Sequence, residues 1–268
     1  KLWTFFNDLA KEIHRIDPRH PVMTIVGFSD VPKKLDELAA QCPDLDLLGI
    51  NAYADLAEFS EAVIKHWRRP YMVTEWGPDG HWEVPKTTFK VALEQSSTEK
   101  AEVYRDRYEN VILKNRAFCL GSFVFYWHSK QEITHTWYGM FDEKNSATET
   151  VEAMQFSWSG KYPANRSPKI LRYAIEDKTD KKTVILQKGQ SFSVIFEAND
   201  PENETLKLSY EIRPEAVYAS YAGQGEKAAP IVGSGSLNTR KTEIKAPAEP
   251  GKYRIFLRAD DAHRHHAI

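Results

Sequence analysis

The chain has 268 residues, of which 41% are hydrophobic and 28% charged, the balance of a folded globular protein long enough for one large domain or two ordinary ones. Its 36 Lys and Arg against 38 Asp and Glu leave a net charge of -2, without the basic excess that nucleic acid or an anionic membrane surface would require. No window approaches the roughly 18 consecutive apolar residues of a membrane-spanning helix. The opening Lys1-Leu2-Trp3-Thr4 lacks the layout of a signal peptide, and because Lys1 is not an initiator Met, the natural start is expected to lie upstream or to have been removed.

Leu2, Phe5, Phe6, Leu9, Ile13 and Ile16 recur at helical intervals, which predicts an amphipathic helix that Asp17-Pro18 ends. Four apolar runs follow, each read as a buried strand: Val22 to Phe28, Leu45 to Tyr53, Tyr71 to Trp76 and Phe118 to Trp127. Between them, helical patterns span Val31 to Gln41, Leu56 to Trp67 and Ser97 to Asn115. Strands with continuous rather than alternating hydrophobicity, separated by helices, predict a parallel sheet covered on its faces. Cys42 and Cys119 fall at helix-end and strand positions and are read as unpaired core thiols.

A polar, proline-containing stretch at 161–167 is predicted to be a linker between a first domain, 1–160, and a second, 168–268. In the second, short β-type runs at Thr183 to Leu186, Ser191 to Ala198, Lys207 to Ile212, Glu243 to Lys245 and Lys252 to Ala259 predict a small antiparallel, immunoglobulin-like β-sandwich that also stops early. The turn from Asn199 to Glu204 is read as a solvated hairpin turn rather than a Ca²⁺ loop. His263, His265 and His266 are read as a solvated terminal segment, so no metal is expected.

Glu75 carries the chemistry. It stands directly after a buried apolar run and before Gly77, and in a parallel α/β barrel that strand end faces the active site. The alternative of a helix cap fits poorly, because the next helical pattern begins some twenty residues on, near Ser96. Seven Trp, twelve Tyr and thirteen Phe, several beside polar residues, suit a surface that stacks on sugar rings and bonds their hydroxyls.

The block Tyr71-Met72-Val73-Thr74-Glu75-Trp76-Gly77-Pro78 resembles the seventh-strand segment of retaining glycoside hydrolases of the clan that includes families 2 and 5. Gly49-Ile50-Asn51-Ala52-Tyr53 is similar to the sixth-strand segment, and Gly121 to Trp127 to the eighth. Residues 2–22 resemble the fourth helix and fifth strand of family 2 members. The resemblance implies the C-terminal half, strands five to eight, of a TIM (β/α)₈ barrel. It implies Glu75 as nucleophile, with Tyr53 hydrogen-bonding that carboxylate and Trp127 stacking on the sugar. Asn51, Trp76, His81, Trp82, Lys130 and Trp137 are further substrate-binding candidates, each with packing as the plainer alternative.

A retaining glycosidase needs a second carboxyl about 5–5.5 Å from the first. In the clan the acid/base Glu follows an Asn at the end of the fourth strand, a position expected upstream of Lys1; Glu83, Glu94 and Glu132 are poor internal substitutes because none ends a strand pattern. The expected function is therefore retaining hydrolysis of β-glycosidic bonds in an oligo- or polysaccharide, extracellular or periplasmic in the parent protein and without a cofactor. These 268 residues alone are expected to be inactive and to self-associate through exposed half-barrel edges. The alternative is a non-catalytic carbohydrate-binding or scaffold protein. No Gly-X-Gly-X-X-Gly turn or Walker-type loop follows any predicted strand, which argues against a nucleotide-binding fold.

Overall fold

The computed structural model describes residues 2–27, 31–178, 184–216, 226–238 and 241–268. By its internal contacts the chain forms two compact units, one of Lys1–Gly77 with Asp106–Phe125, the other of Pro78–Arg105 with Tyr126–Ile268. This division does not follow the shift in composition at 161–167.

The first unit alternates helices and strands: α1 (Leu2–Ile16), β1 (Met23–Gly27), α2 (Val31–Gln41), β2 (Leu47–Asn51), α3 (Leu56–His66), β3 (Tyr71–Trp76), a π-helical turn (Tyr108–Leu113) and β4 (Cys119–Val124). Its sheet is parallel throughout, in the order β1-β2-β3-β4. Parallel neighbours require a crossover between them, and the helices supply it. Only the inner strands are buried as expected. On β1, Met23 and Ile25 are exposed, and on β4, Leu120 and Phe123, because each edge strand has a single neighbour in the sheet. Phe28, the last residue of the first strand expectation, lies outside the described residues.

Polar side chains tie the loops of this unit. Asn7 of α1 pairs with Asp44 through both amide atoms, donating to the carboxylate at 2.8 Å and accepting from the backbone N–H at 2.9 Å. The Arg69 guanidinium donates to the carbonyls of Cys42, Pro43 and Leu45 and lies 3.5 Å over the Trp67 ring. Cys42 and Cys119 are both free and buried, and burial pushes both thiols up.

The second unit contains two antiparallel sheets. One runs β11 (His266–Ala267), β10 (Tyr253–Asp260), β7 (Lys207–Pro214), β8 (Gly233–Ser236), and the other β5 (Lys169–Ile175), β6 (Ser191–Asn199), β9 (Thr242–Lys245). They share an apolar cluster in which Phe192, Val194 and Phe196 of β6 meet Leu208 and Ile212 of β7 and Ile244 of β9. Helices α4 (Ser97–Arg107) and α5 (Glu149–Ser159) accompany them, the last two residues of α4 belonging to the first unit. Gly160 ends α5 in the left-handed region at φ 70°, a conformation glycine adopts without a Cβ penalty, and its N–H closes on the Phe156 carbonyl.

Three expectations change here. The described part of the run expected as a strand at Thr183 to Leu186 is irregular from Val184 onward. Of the terminal histidines, His263 is exposed as expected and His265 is half-buried, but His266 is not solvated. His266 is 2% exposed and lies in β11, and its N–H donates to the Ala147 carbonyl while Ser97 N–H donates to the Ile268 carbonyl. Burial, with Arg258 nearby, lowers the His266 imidazole to about 4, so it is neutral at physiological pH. The turn at 199–204 is likewise enclosed at Asp200, which is 4% exposed.

Candidate active site

β3 delivers Glu75 to the C-terminal end of an inner strand, where its carboxylate is half-buried. Both of its oxygens are engaged. Tyr53 Oη donates to Oε1 at 2.6 Å and Asn51 Nδ2 donates to Oε2 at 3.1 Å. The register explains how they meet. Ile50 pairs with Val73 but the next residue, Asn51, pairs with Glu75, so Thr74 is an extra residue that bulges β3. The bulge places Glu75 directly opposite Asn51. Tyr53 lies two residues past the end of β2, in the turn that starts α3, where its carbonyl accepts the Leu56 N–H and its own N–H donates to Asp55 Oδ1.

The bulged residue has a further role that sequence reasoning missed. Thr74 Oγ1 lies 2.8 Å from Asn51 Oδ1 and 3.1 Å from the Ile50 carbonyl. With Asn51 Oδ1 facing that hydroxyl, its amide nitrogen is turned toward Glu75. Gly49 makes room for this arrangement, since a Cβ there would stand 3.0 Å from both Thr74 Cγ2 and Oγ1 and 2.8 Å from Ile25 Cγ1. The only hints in the sequence are a Thr one residue before the Glu and a Gly two before the Asn. Neither reveals a bulge.

The Tyr53 ring, 4% exposed, also packs edge-on against Phe125 at 6.2 Å between centroids. Tyr53→Phe keeps that packing and removes one donor to a carboxylate. It is expected to cost about 1–2 kcal/mol of stability, read from the urea midpoint of the full chain.

The other candidates divide. Trp76 is fully buried and offers no open face, its carbonyl accepting the Phe125 N–H. The remaining five lie in the second unit. There His81, Trp82 and Trp137 come together, with His81 edge-on to Trp82 at 4.9 Å and to Trp137 at 6.0 Å. Burial lowers the His81 imidazole, keeping it neutral at physiological pH. Trp137 is 1% exposed and donates its indole N–H to the Asp79 carbonyl, so the packing alternative describes it, whereas Trp82 is exposed. Lys130 pairs with Glu132 at 2.9 Å. Trp127 is exposed, with its ring 5.5 Å from Phe141 and 5.7 Å from Trp158.

The internal carboxyls considered as acids have structural partners. Glu83 accepts the Gly80 N–H at 2.7 Å, and Glu94 is held by Lys100, Arg254, Thr134 and Thr136.

No protein-family model and no curated protein matches the chain. Among solved structures it is similar to N2152 from Neocallimastix frontalis, at 11% identity and a TM-score of 0.38, over 95% of this chain and 64% of that one. It is also similar to CbXyn10B in its native form, at 14% identity and a TM-score of 0.40, over 56% of this chain and 52% of that one. At these scores neither likeness assigns the fold. The chain spans between half and two-thirds of the length of these two neighbours.

Proposed function

We propose that the first region of this chain is the C-terminal half of a (β/α)₈ barrel from a retaining β-glycoside hydrolase, followed by an accessory β-sandwich, and that Glu75 is the nucleophile. The observation that carries the reading is a carboxylate at the C-terminal end of an inner parallel strand, with both oxygens held by side chains from the neighbouring strand end. Such fixed orientation is what attack on one carbon requires.

In this mechanism a Glu75 oxygen attacks the anomeric carbon from the face opposite the leaving group. The bond to the leaving oxygen breaks as the acid/base carboxyl protonates it, giving a glycosyl ester and a free alcohol. Water, deprotonated by the same carboxyl, then attacks the anomeric carbon and releases Glu75. Tyr53 and Asn51 act as positioning residues, each holding one carboxylate oxygen by a single hydrogen bond and so fixing the direction in which the remaining lone pairs meet the sugar. The resemblance, rather than any placement, makes Trp127 the residue that stacks on the sugar and Trp82 a further substrate-binding candidate; the substrate is an oligo- or polysaccharide outside the cytoplasm.

Two further observations support the half-barrel reading. The sheet of the first unit is open, with β1 and β4 at its edges. Leu2, Phe5 and Leu9 of α1, Ile25 of β1, and Leu120 and Phe123 of β4 are exposed, as expected of βα units whose neighbours are further βα units. The same edges would support self-association of the isolated chain.

By the resemblance, the acid/base carboxyl belongs to a strand preceding the motifs matched here. General-acid assistance is worth about 10² to 10⁴ in rate. These 268 residues alone are therefore expected to show no measurable hydrolysis of unactivated β-glycosides, while a longer polypeptide supplying the other four βα units hydrolyses at least one member of a β-glycan and aryl-glycoside panel. Brisk hydrolysis by the 268 residues would mean that the acid has been misplaced. Sugar binding without turnover by the longer polypeptide would favour the carbohydrate-binding alternative.

A further inference from the structure

The turn after β6 and the turn after β10 bring three carboxylates together. One oxygen each from Asp200, Glu204 and Asp261 lies within 4.8 Å of the other two. Like charges this close repel and raise the cost of burial unless a cation sits among them. Among the described residues no Lys or Arg pairs with any of the three.

Their hydrogen bonds leave a specific deficit. Asp200 Oδ1 accepts the N–H groups of Glu202 and Glu204 at 2.9 and 3.0 Å, but Oδ2 is buried and accepts nothing. Glu204 Oε1 meets His263 Nε2 at 3.0 Å, but Oε2 is likewise buried and accepts nothing. The Asp261 side chain is fully enclosed, Oδ1 taking the N–H groups of His263 and His265 and Oδ2 meeting His265 Nδ1 at 3.0 Å. The Asp200 side chain is enclosed, with the residue 4% exposed, and it brings one carboxylate oxygen into the cluster while Oδ2 is buried without a donor. Two enclosed carboxylate oxygens without donors would each cost free energy in an apolar surrounding.

We infer that Asp200, Glu204 and Asp261 form a Ca²⁺ site that joins the turn following β6 to the turn following β10. Oxygens bound to one Ca²⁺ at 2.3–2.6 Å stand at most about 5 Å apart, which accommodates the observed cluster. The oxygen-only set suits a hard cation, whereas structural Zn²⁺ sites are built mainly on Cys and His. Since β6 and β10 belong to different sheets of the second unit, the ion would staple the two sheets at one end. This assignment is independent of the glycosidase reading.

The test uses the full chain stripped with EDTA and titrated with CaCl₂ by calorimetry, with melting followed in parallel. One Ca²⁺ per chain should bind, with Kd between about 10⁻⁶ and 10⁻³ M, and at saturation Tm should rise by at least about 3 °C. Asp200→Asn and Glu204→Gln should each raise Kd at least tenfold. Because Asp200 also accepts two backbone N–H groups, its variant is more exposed to misfolding, and Glu204→Gln decides if it does. Absence of both heat and melting shift with the unsubstituted chain at 10 mM CaCl₂, a concentration about tenfold above the weakest affinity expected, overturns the proposal. A Ca²⁺ response undiminished in Glu204→Gln overturns it as well.

Discussion

Glu75→Gln is expected to abolish turnover by a barrel-complete polypeptide, lowering kcat on the order of 10⁴-fold or more, while sugar affinity changes little. The amide has nearly the shape of the carboxylate but cannot form the glycosyl ester. It can also be accommodated. With Asn51 held by Thr74 and donating toward one position, the Gln oxygen takes that place, and its NH₂ group turns to Tyr53 Oη, which can accept as well as donate. Loss of activity is therefore separable from loss of structure. The measurements are steady-state rates and substrate binding for both proteins, together with mass analysis after incubation with a glycoside whose sugar ester hydrolyses slowly. The added mass should fall on the peptide containing Glu75. Equal rates in the two proteins would remove Glu75 from the mechanism.

Glu94→Gln should be the most destabilising of the conservative substitutions considered, by about 3–5 kcal/mol, the usual cost of removing one partner from a buried pair. Glu94 Oε1 accepts from Lys100 Nζ and Thr136 Oγ1, each at 2.7 Å, and Oε2 from Thr134 Oγ1 at 2.8 Å and Arg254 Nη1 at 3.0 Å. Arg254 is balanced in turn by Glu215 at 3.0 Å. Burial alone would raise the Glu94 carboxyl, but the two cations and their hydrogen bonds pull it down to about 2. Lys100 is also lowered, by burial first and further by the nearby Arg254 cation, against the opposing pull of the Glu94 and Glu99 carboxylates. In the substituted protein that ammonium, 5% exposed, loses its counter-charge.

The pH dependence follows from the sign of the Glu94 shift. A carboxyl depressed in the fold stabilises it above the unfolded value near pH 4.3, and that stability is lost as pH falls toward 2. The difference corresponds to about 3 kcal/mol. Urea unfolding at pH 7 and pH 3 should therefore show a wide gap between the unsubstituted and Glu94→Gln proteins at neutral pH and a narrower one in acid. A gap that stays constant would show that the Glu94 charge is not what holds the network.

The parts of the fold legible in the sequence were those whose signal is one-dimensional. β3 is bounded by Pro70 and Gly77 and apolar along most of its length, and α1 and α2 follow helical periodicity closely, so both helices and the strand keep their predicted limits. α5 was missed because it points Glu149, Thr150 and Glu152 inward, and its Glu152 is satisfied by Arg166 and the Ser167 N–H rather than by water. β8, Gly-Ser-Gly-Ser, has no apolar pattern to find, and β11 is two residues long. At the candidate site, Glu75, Tyr53 and Asn51 could be named from their places at strand ends. Thr74 could not, because its role arises from a shift in pairing that only the neighbouring strand defines. His266 and Asp200 were misread for a related reason, since polar residues near a chain end or in a turn look solvated until distant segments close over them.

The Glu94 network has a consequence for the order in which the protein can mature. Arg254 follows Glu94 by 160 positions, and a ribosome adding about 5–20 residues per second needs about 8–32 s to cover that distance. Through that interval the nascent chain carries Glu94 and Lys100 without the cation that completes their burial. The segment 78–105 therefore cannot reach its final packing until the last β-strands have been made, so chains released early should be prime targets for cellular proteases, even when they contain every residue of the first unit.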